Sequence, residues 1–144
     1  MRYLLDTSTV SALSWPRPPA DLQSRLRGHE GQYAIASLVV AELRFGAQRH
    51  PDPIRRERLT AFVDSVVVST PILAFDAKAA EWLGVERARI EAVGEPVDLA
   101  DLIIAATAAA NQMVVVTANV RHFTRLRVEV EDWTRPAVEL LKEL

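Results

Sequence analysis

The chain has 144 residues, 49% of them apolar and 25% charged, with a net charge of -2 and no cysteine. That length suffices for one folded core, and the missing cysteines exclude disulfides and thiolate metal sites and suit a reducing compartment such as the cytoplasm. The strongly basic total of many nucleic-acid binders is absent, so any grip on phosphate must come from local arginines or a bound cation.

In chain order, Met1–Tyr3 leads straight into Leu4-Leu5-Asp6 with no signal-like apolar stretch. Leu4-Leu5 reads as a short buried strand ending at Asp6. Thr7-Ser8-Thr9 offers hydroxyls to cap a short helix through Val10, Leu13 and Trp15. Pro16 to Pro19 is a rigid surface loop within one domain, and Ala20 to Arg27 a second short helix. Tyr33 to Ala36 is a second strand, and Ser37 caps a helix to about Gln48. Asp52-Pro53 is a strong helix start, with Ile54, Ala61 and Phe62 as its apolar face. Val66-Val67-Val68 is expected to form a third strand.

Asp76 begins the longest helix, with Ala80, Leu83, Arg87 and Ile90 at helical spacing and Gly94 as its stop. Asp98 to Ala110 is apolar on most sides and therefore buried. Its core run is too short and too alanine-rich to span a bilayer. Met113 to Thr117 is a fourth strand, Val128 to Val130 a fifth at an edge, and Thr134 and Pro136 open a C-terminal amphipathic helix. Short apolar strands alternating with helices predict an α/β fold with a parallel sheet of four or five strands covered on both faces. In such sheets ligands sit beyond the carboxyl ends of the strands, where strand order switches. The site is therefore expected just after strands one, two and four.

Three acids fall there: Asp6, Glu42 and Asp101. Two or three convergent carboxylates suit a hard cation such as Mg2+, which can activate water and neutralise charge on a phosphoryl group. Position alone leaves other uses open. Asp6 also fits a helix cap, Glu42 a solvated helix edge, and Asp98 a cap, since D-L-A-D at Asp98 to Asp101 approaches a capping box. Asp101 precedes the apolar Leu102 to Ala106 and needs a partner. His29, His50 and His122 lack zinc-pair spacing and read as surface residues. Arginines cluster at Arg44, Arg49, Arg55, Arg56 and Arg58, and at Arg121, Arg125 and Arg127. Such runs are solvated faces unless they lie beside the acids, where they could contact a nucleic-acid backbone.

L-L-D-T-S at Leu4 to Ser8, A-E-L-R-F-G at Ala41 to Gly46, A-D-L-I-I-A-A-T-A at Ala100 to Ala108 and V-V-T-A-N-V-R-H-F at Val115 to Phe123 form an ordered set, continued by V-E-V-E-D-W ending at Trp133. Together they resemble PIN-domain ribonucleases, and more narrowly the VapC toxins of VapBC toxin–antitoxin modules. The resemblance implies a single PIN domain over residues 1–144, a three-layer α/β/α fold, and RNA hydrolysis by a water activated by Mg2+, with Mn2+ able to substitute. By position, Asp6 and Asp101 match the family's metal-binding aspartates and Glu42 its third acid. Ser8 and Asn119 match pocket-lining polar positions. A homodimer and a cognate VapB-type antitoxin are implied as partners. His122 stands where members often carry a fourth acid, and Ala118 replaces an arginine. This leaves the fourth carboxylate to Asp98 or to none, and with it the second metal.

Two other readings compete. D-T-S-T-V at Asp6 to Val10 approaches the D-x-D-x-T motif of haloacid-dehalogenase phosphatases, but Ser8 replaces the second aspartate, and neither Lys78 nor Lys142 is well placed. A non-catalytic PIN-like domain that binds RNA or protein would keep the fold without cutting.

Overall fold

The computed structural model describes residues 1–136. Its elements are β1 (Tyr3–Leu5), α1 (Thr7–Ala12), α2 (Ala20–Gly28), β2 (Tyr33–Ala36), α3 (Ser37–Gln48), α4 (Pro53–Ser69), β3 (Ile72–Leu73), α5 (Ala77–Ala92), α6 (Leu99–Ala110), β4 (Val114–Val116) and β5 (Val130–Glu131), with a 3-10 turn at Val120–His122. The strands form one five-stranded parallel sheet in the order β3-β2-β1-β4-β5, flanked by helices as in the three-layer α/β/α expectation. The chain builds outward from β1 through β2 to β3, then returns to the other side of β1. The switch in strand order lies between β1 and β4.

Both central strands are buried along their length, as continuous apolar runs in a covered parallel sheet should be. Leu4, Ile35 and Val115 are fully enclosed; burying each such side chain stabilises by about 1.5–3 kcal/mol. α5 packs against α6 and α3 against α4. α6 is enclosed over most of its surface through Leu102, Ile104, Ala105, Ala106 and Ala108.

Several expectations are corrected by packing, and α4, with 17 residues, is longer than the 16-residue α5 expected to be the longest helix. Val66 to Val68 is not a strand but the last turns of α4, and the third strand is Ile72–Leu73. Within that turn Val66 is buried while Val68 is 88% exposed, as helical rather than strand periodicity requires. The core-facing side of α4 is Val63 and Val66 with Phe62 packed beside them, while Ile54 and Ala61 are exposed. On α5 it is Ala79, Glu86 and Ile90, with Ala80 and Arg87 outside. α1 is capped by Asp6, not by the hydroxyls that follow it, and the first residue of α3 is Ser37, whose preceding Ala36 makes no side-chain cap. The fifth strand lies slightly later than expected, at Val130–Glu131. Other punctuation holds: Asp52, Asp76 and Asp98 each accept a backbone N–H at a helix start. Gly94, with φ of 76°, takes the left-handed position that ends α5. The expected C-terminal helix lies outside the described residues. Among the described residues, no helix is long and apolar enough to cross a membrane.

Candidate active site

In the β1–β4 register Leu5 stands beside Val116. The next residues, Asp6 and Thr117, therefore emerge together at the switch point. Asp6 is 4% exposed, and both its oxygens are held. Oδ1 accepts from Ser8 Oγ at 2.7 Å and from the Thr9 backbone N–H at 3.1 Å, while Oδ2 accepts from Thr117 Oγ1. A buried carboxylate requires such donors. The helix cap and the expected site residue are thus one side chain. Oδ2, with a single donor, retains lone-pair capacity for a further partner.

The same bonds fasten the loop after β4. Thr117 Oγ1 accepts from Asn119 N at 2.9 Å, and Ser8 Oγ accepts from Ala118 N at 3.1 Å. Thr9 Oγ1 donates to Val116 O at 3.0 Å. The Thr7-Ser8-Thr9 hydroxyls therefore tie α1 to neighbouring elements instead of capping it. Thr7 Oγ1 reaches across to donate to Glu42 Oε1, which settles the orientation of Glu42. That carboxylate is half-buried on the α1 side of α3, while Val39, Leu43 and Ala47 face the core.

Asp101 lies in the first turn of α6, its side chain 21% exposed, with Oδ2 3.2 Å from Nδ1 of the more exposed His122. Burial pushes its carboxyl above the ordinary 3.8; His122 opposes the shift, and Asp98, Asp6 and Glu42 reinforce it. All four acids therefore share one electrostatic neighbourhood. Asp98 is the exposed cap of α6, its Oδ1 accepting from Ala100 N at 2.8 Å. Of the pocket-lining expectations, Ser8 holds Asp6, and Asn119 contributes its backbone N–H to the loop while lining an adjoining cleft. His122 lies on the surface as expected and also faces Asp101. His29 is half-buried and stacks on Trp133.

Two further residues, Thr117 and Thr7, hold candidate acids without being expected from the sequence. Thr117 had a readable signal: a hydroxyl placed directly after a buried strand, as Asp6 is. Thr7 had none, because its partner lies 35 residues away.

Residues 3–129 match the PIN domain. The chain belongs to the PIN-domain family. Its relatives include the tRNA(fMet)-specific endonuclease VapC of Shigella flexneri, 31% identical over 135 residues, covering 93% of this chain and 99% of the relative. The chain thus falls among the VapC proteins of that family. In solved structures, DNA-bound VapBC from Salmonella typhimurium contains a chain that aligns with a TM-score of 0.85 at 30% identity, covering 92% of this chain and 98% of that one. VapBC2 from Rickettsia felis, bound to a promoter DNA fragment, aligns with a TM-score of 0.83 at 27% identity, covering 92% and 99%. PIN membership leaves no place for the haloacid-dehalogenase reading.

Among the described residues, no three histidine or acidic side chains stand close enough to form a ready-made metal cage. Mg2+ does not need one, because it retains several waters and is held by one or two carboxylates. The all-oxygen, like-charged group around Asp101 has the donor chemistry of such a site.

Proposed function

We propose that this PIN-domain chain is an endoribonuclease dependent on Mg2+, the toxin of a VapBC-type pair. Asp6 and Asp101 are its direct metal ligands and Glu42 the third acid. The observation that carries the reading is the carboxyl of Asp101, raised by burial and by the nearby Asp98, Asp6 and Glu42 at the switch point of the sheet. Like charges gathered around a partly buried carboxylate are short of a cation. Bound there, the ion would supply water activation and charge neutralisation at the phosphoryl oxygens.

The chain's own residues supply order. Ser8, the Thr9 N–H and Thr117 hold both oxygens of Asp6 in place before any ligand arrives. Thr7 aims Glu42, and His122 holds one oxygen of Asp101. The sequence relatives named for ribonuclease activity and the VapBC complexes among the structural neighbours support RNA as substrate and a VapB-type antitoxin as partner. A cytoplasmic location and a homodimer belong to the same proposal.

The test is incubation with total RNA, with and without EDTA, alongside Asp6→Asn and Asp101→Asn. Cleavage is expected only in wild-type protein with Mg2+ or Mn2+. Cutting that persists in EDTA, or in both variants, would sink the mechanism. A second reading, an RNA- or protein-binding domain that does not cut, is favoured by His122 in the place of an acid. It is the outcome if RNA binds and stays intact under all conditions.

A further inference from the structure

Beside the acid cluster, on the same edge of the sheet, runs a cleft of about 440 Å³ lined by Asn119, Arg121, His122, Asp132 and Arg135. That volume lies within the roughly 300–1,000 Å³ of small-ligand clefts. Its walls are the segment after β4 and the segment after β5, so it opens at the carboxyl ends of both strands. His122 belongs to both places, since it lines the cleft and touches Asp101.

The polar groups are distributed unevenly. Arg121 is exposed, and its guanidinium makes no ion pair among the described residues. In contrast, Arg44, Arg55, Arg87, Arg89 and Arg125 each face a carboxylate. Asp132 is buried, and its Oδ1 accepts from the N–H and hydroxyl of Thr134, which fixes that wall. The cleft thus combines an unpaired guanidinium suited to a phosphate with an anchored carboxylate that accepts only from donors, such as a ribose hydroxyl or a base amine. A single-stranded nucleotide presents both.

We propose that this cleft is the subsite for the RNA nucleotide adjoining the one that is cut, with Arg121 as its phosphate contact. His122 in place of a carboxylate then has a second consequence. It removes a negative charge from the threshold between acid cluster and cleft, across which the RNA backbone must pass. The proposal rests on the nuclease reading, so its test does not depend on cleavage.

A labelled single-stranded RNA oligonucleotide is titrated by fluorescence anisotropy in EDTA over a range of salt. Wild-type protein is compared with Arg121→Ala, Arg121→Lys and the control Arg27→Ala, an exposed arginine on α2. Arg121→Ala should weaken binding roughly tenfold at low salt. The slope of log K against log salt should become shallower by about 0.7, one single-strand phosphate contact. Arg121→Lys should restore the slope, and Arg27→Ala should leave both quantities as in wild type. Affinity and slope unchanged in Arg121→Ala, or reduced equally by Arg27→Ala, would overturn the subsite. RNA cleavage in Mg2+ is scored separately. A failed nuclease reading therefore shows as uncut RNA, while the EDTA affinities still decide the contact at Arg121.

Discussion

Thr117 illustrates how one side chain serves both the fold and the chemistry. Its hydroxyl donates to Asp6 Oδ2 and accepts from Asn119 N, so removing it frees a buried carboxylate oxygen and loosens the loop together. Thr117→Val keeps the shape and deletes both bonds. We expect a stability loss of about 1–3 kcal/mol, because a buried carboxylate oxygen is left without its donor. Mn2+ affinity should fall about 10- to 100-fold, as for a residue that orients the proposed ligand rather than being one. Calorimetric titration and thermal melts on the same protein separate the two. Thr117→Ser should restore affinity, and an affinity equal to wild type in the valine variant would remove Thr117 from the site. The placement of the three acids was legible at this scale: Asp6 follows β1, Glu42 lies within α3 and Asp101 in the first turn of α6. The hydroxyls were not, because their partners come from strand register and helix contact, which residue order does not display.

At the scale of elements, the same limit applies to a charge facing inward. Glu86 interrupts the apolar face of α5, where the sequence spacing points instead to Arg87 one position later. Its side chain is 4% exposed. Oε1 accepts from Arg89 Nε at 2.6 Å and Oε2 from the Arg127 N–H at 2.7 Å, while Arg89 Nη2 donates to Arg125 O. α5 is thereby fastened to the segment leading into β5. The Arg89 hydrogen bond holds the Glu86 carboxyl below its ordinary 4.5, against the opposing effect of burial. A lowered folded pKa means stability that is present above the unfolded value and lost as pH falls through the folded one. Glu86→Gln should therefore cost about 1–3 kcal/mol at neutral pH, and its deficit should shrink as the medium is acidified below 4.5. Denaturant unfolding across that range checks it; a deficit independent of pH would show that packing, not charge, is what glutamine disturbs. α4 makes the complementary point. Its start at Asp52-Pro53 was legible from local chemistry, but its end was not, because Val66 to Val68 has strand-like composition and only packing keeps it helical.

At the scale of the whole molecule, the parallel sheet gathers four carboxylates at one end, and this arrangement should be measurable as strain in the ion-free protein. Asp101 carries the signature: its folded pKa is raised by burial first and by Asp98, Asp6 and Glu42 after it. A raised acid pKa means that the folded state binds the proton more readily than the unfolded one. Stability therefore falls as pH rises from the unfolded value through the folded one, and at neutral pH the ionised group is a net cost. Two changes should relieve that cost in different ways. In EDTA, Asp101→Asn removes the charge and should raise the melting temperature, by about 2–4 °C if the relief is near 1 kcal/mol. The lost contact with the 57% exposed His122 offsets this only slightly, as exposed pairs contribute little. Added Mn2+ should stabilise wild-type protein by mass action, about 2.7 kcal/mol at a hundred times its dissociation constant, and should leave the variant's melt almost unmoved. The curves should then cross, with the variant more stable without cation and wild type more stable with it. A wild-type melt indifferent to Mn2+, or an Asp101→Asn protein that melts lower in EDTA, would mean that the acids at this end of the sheet are held by contacts other than a cation.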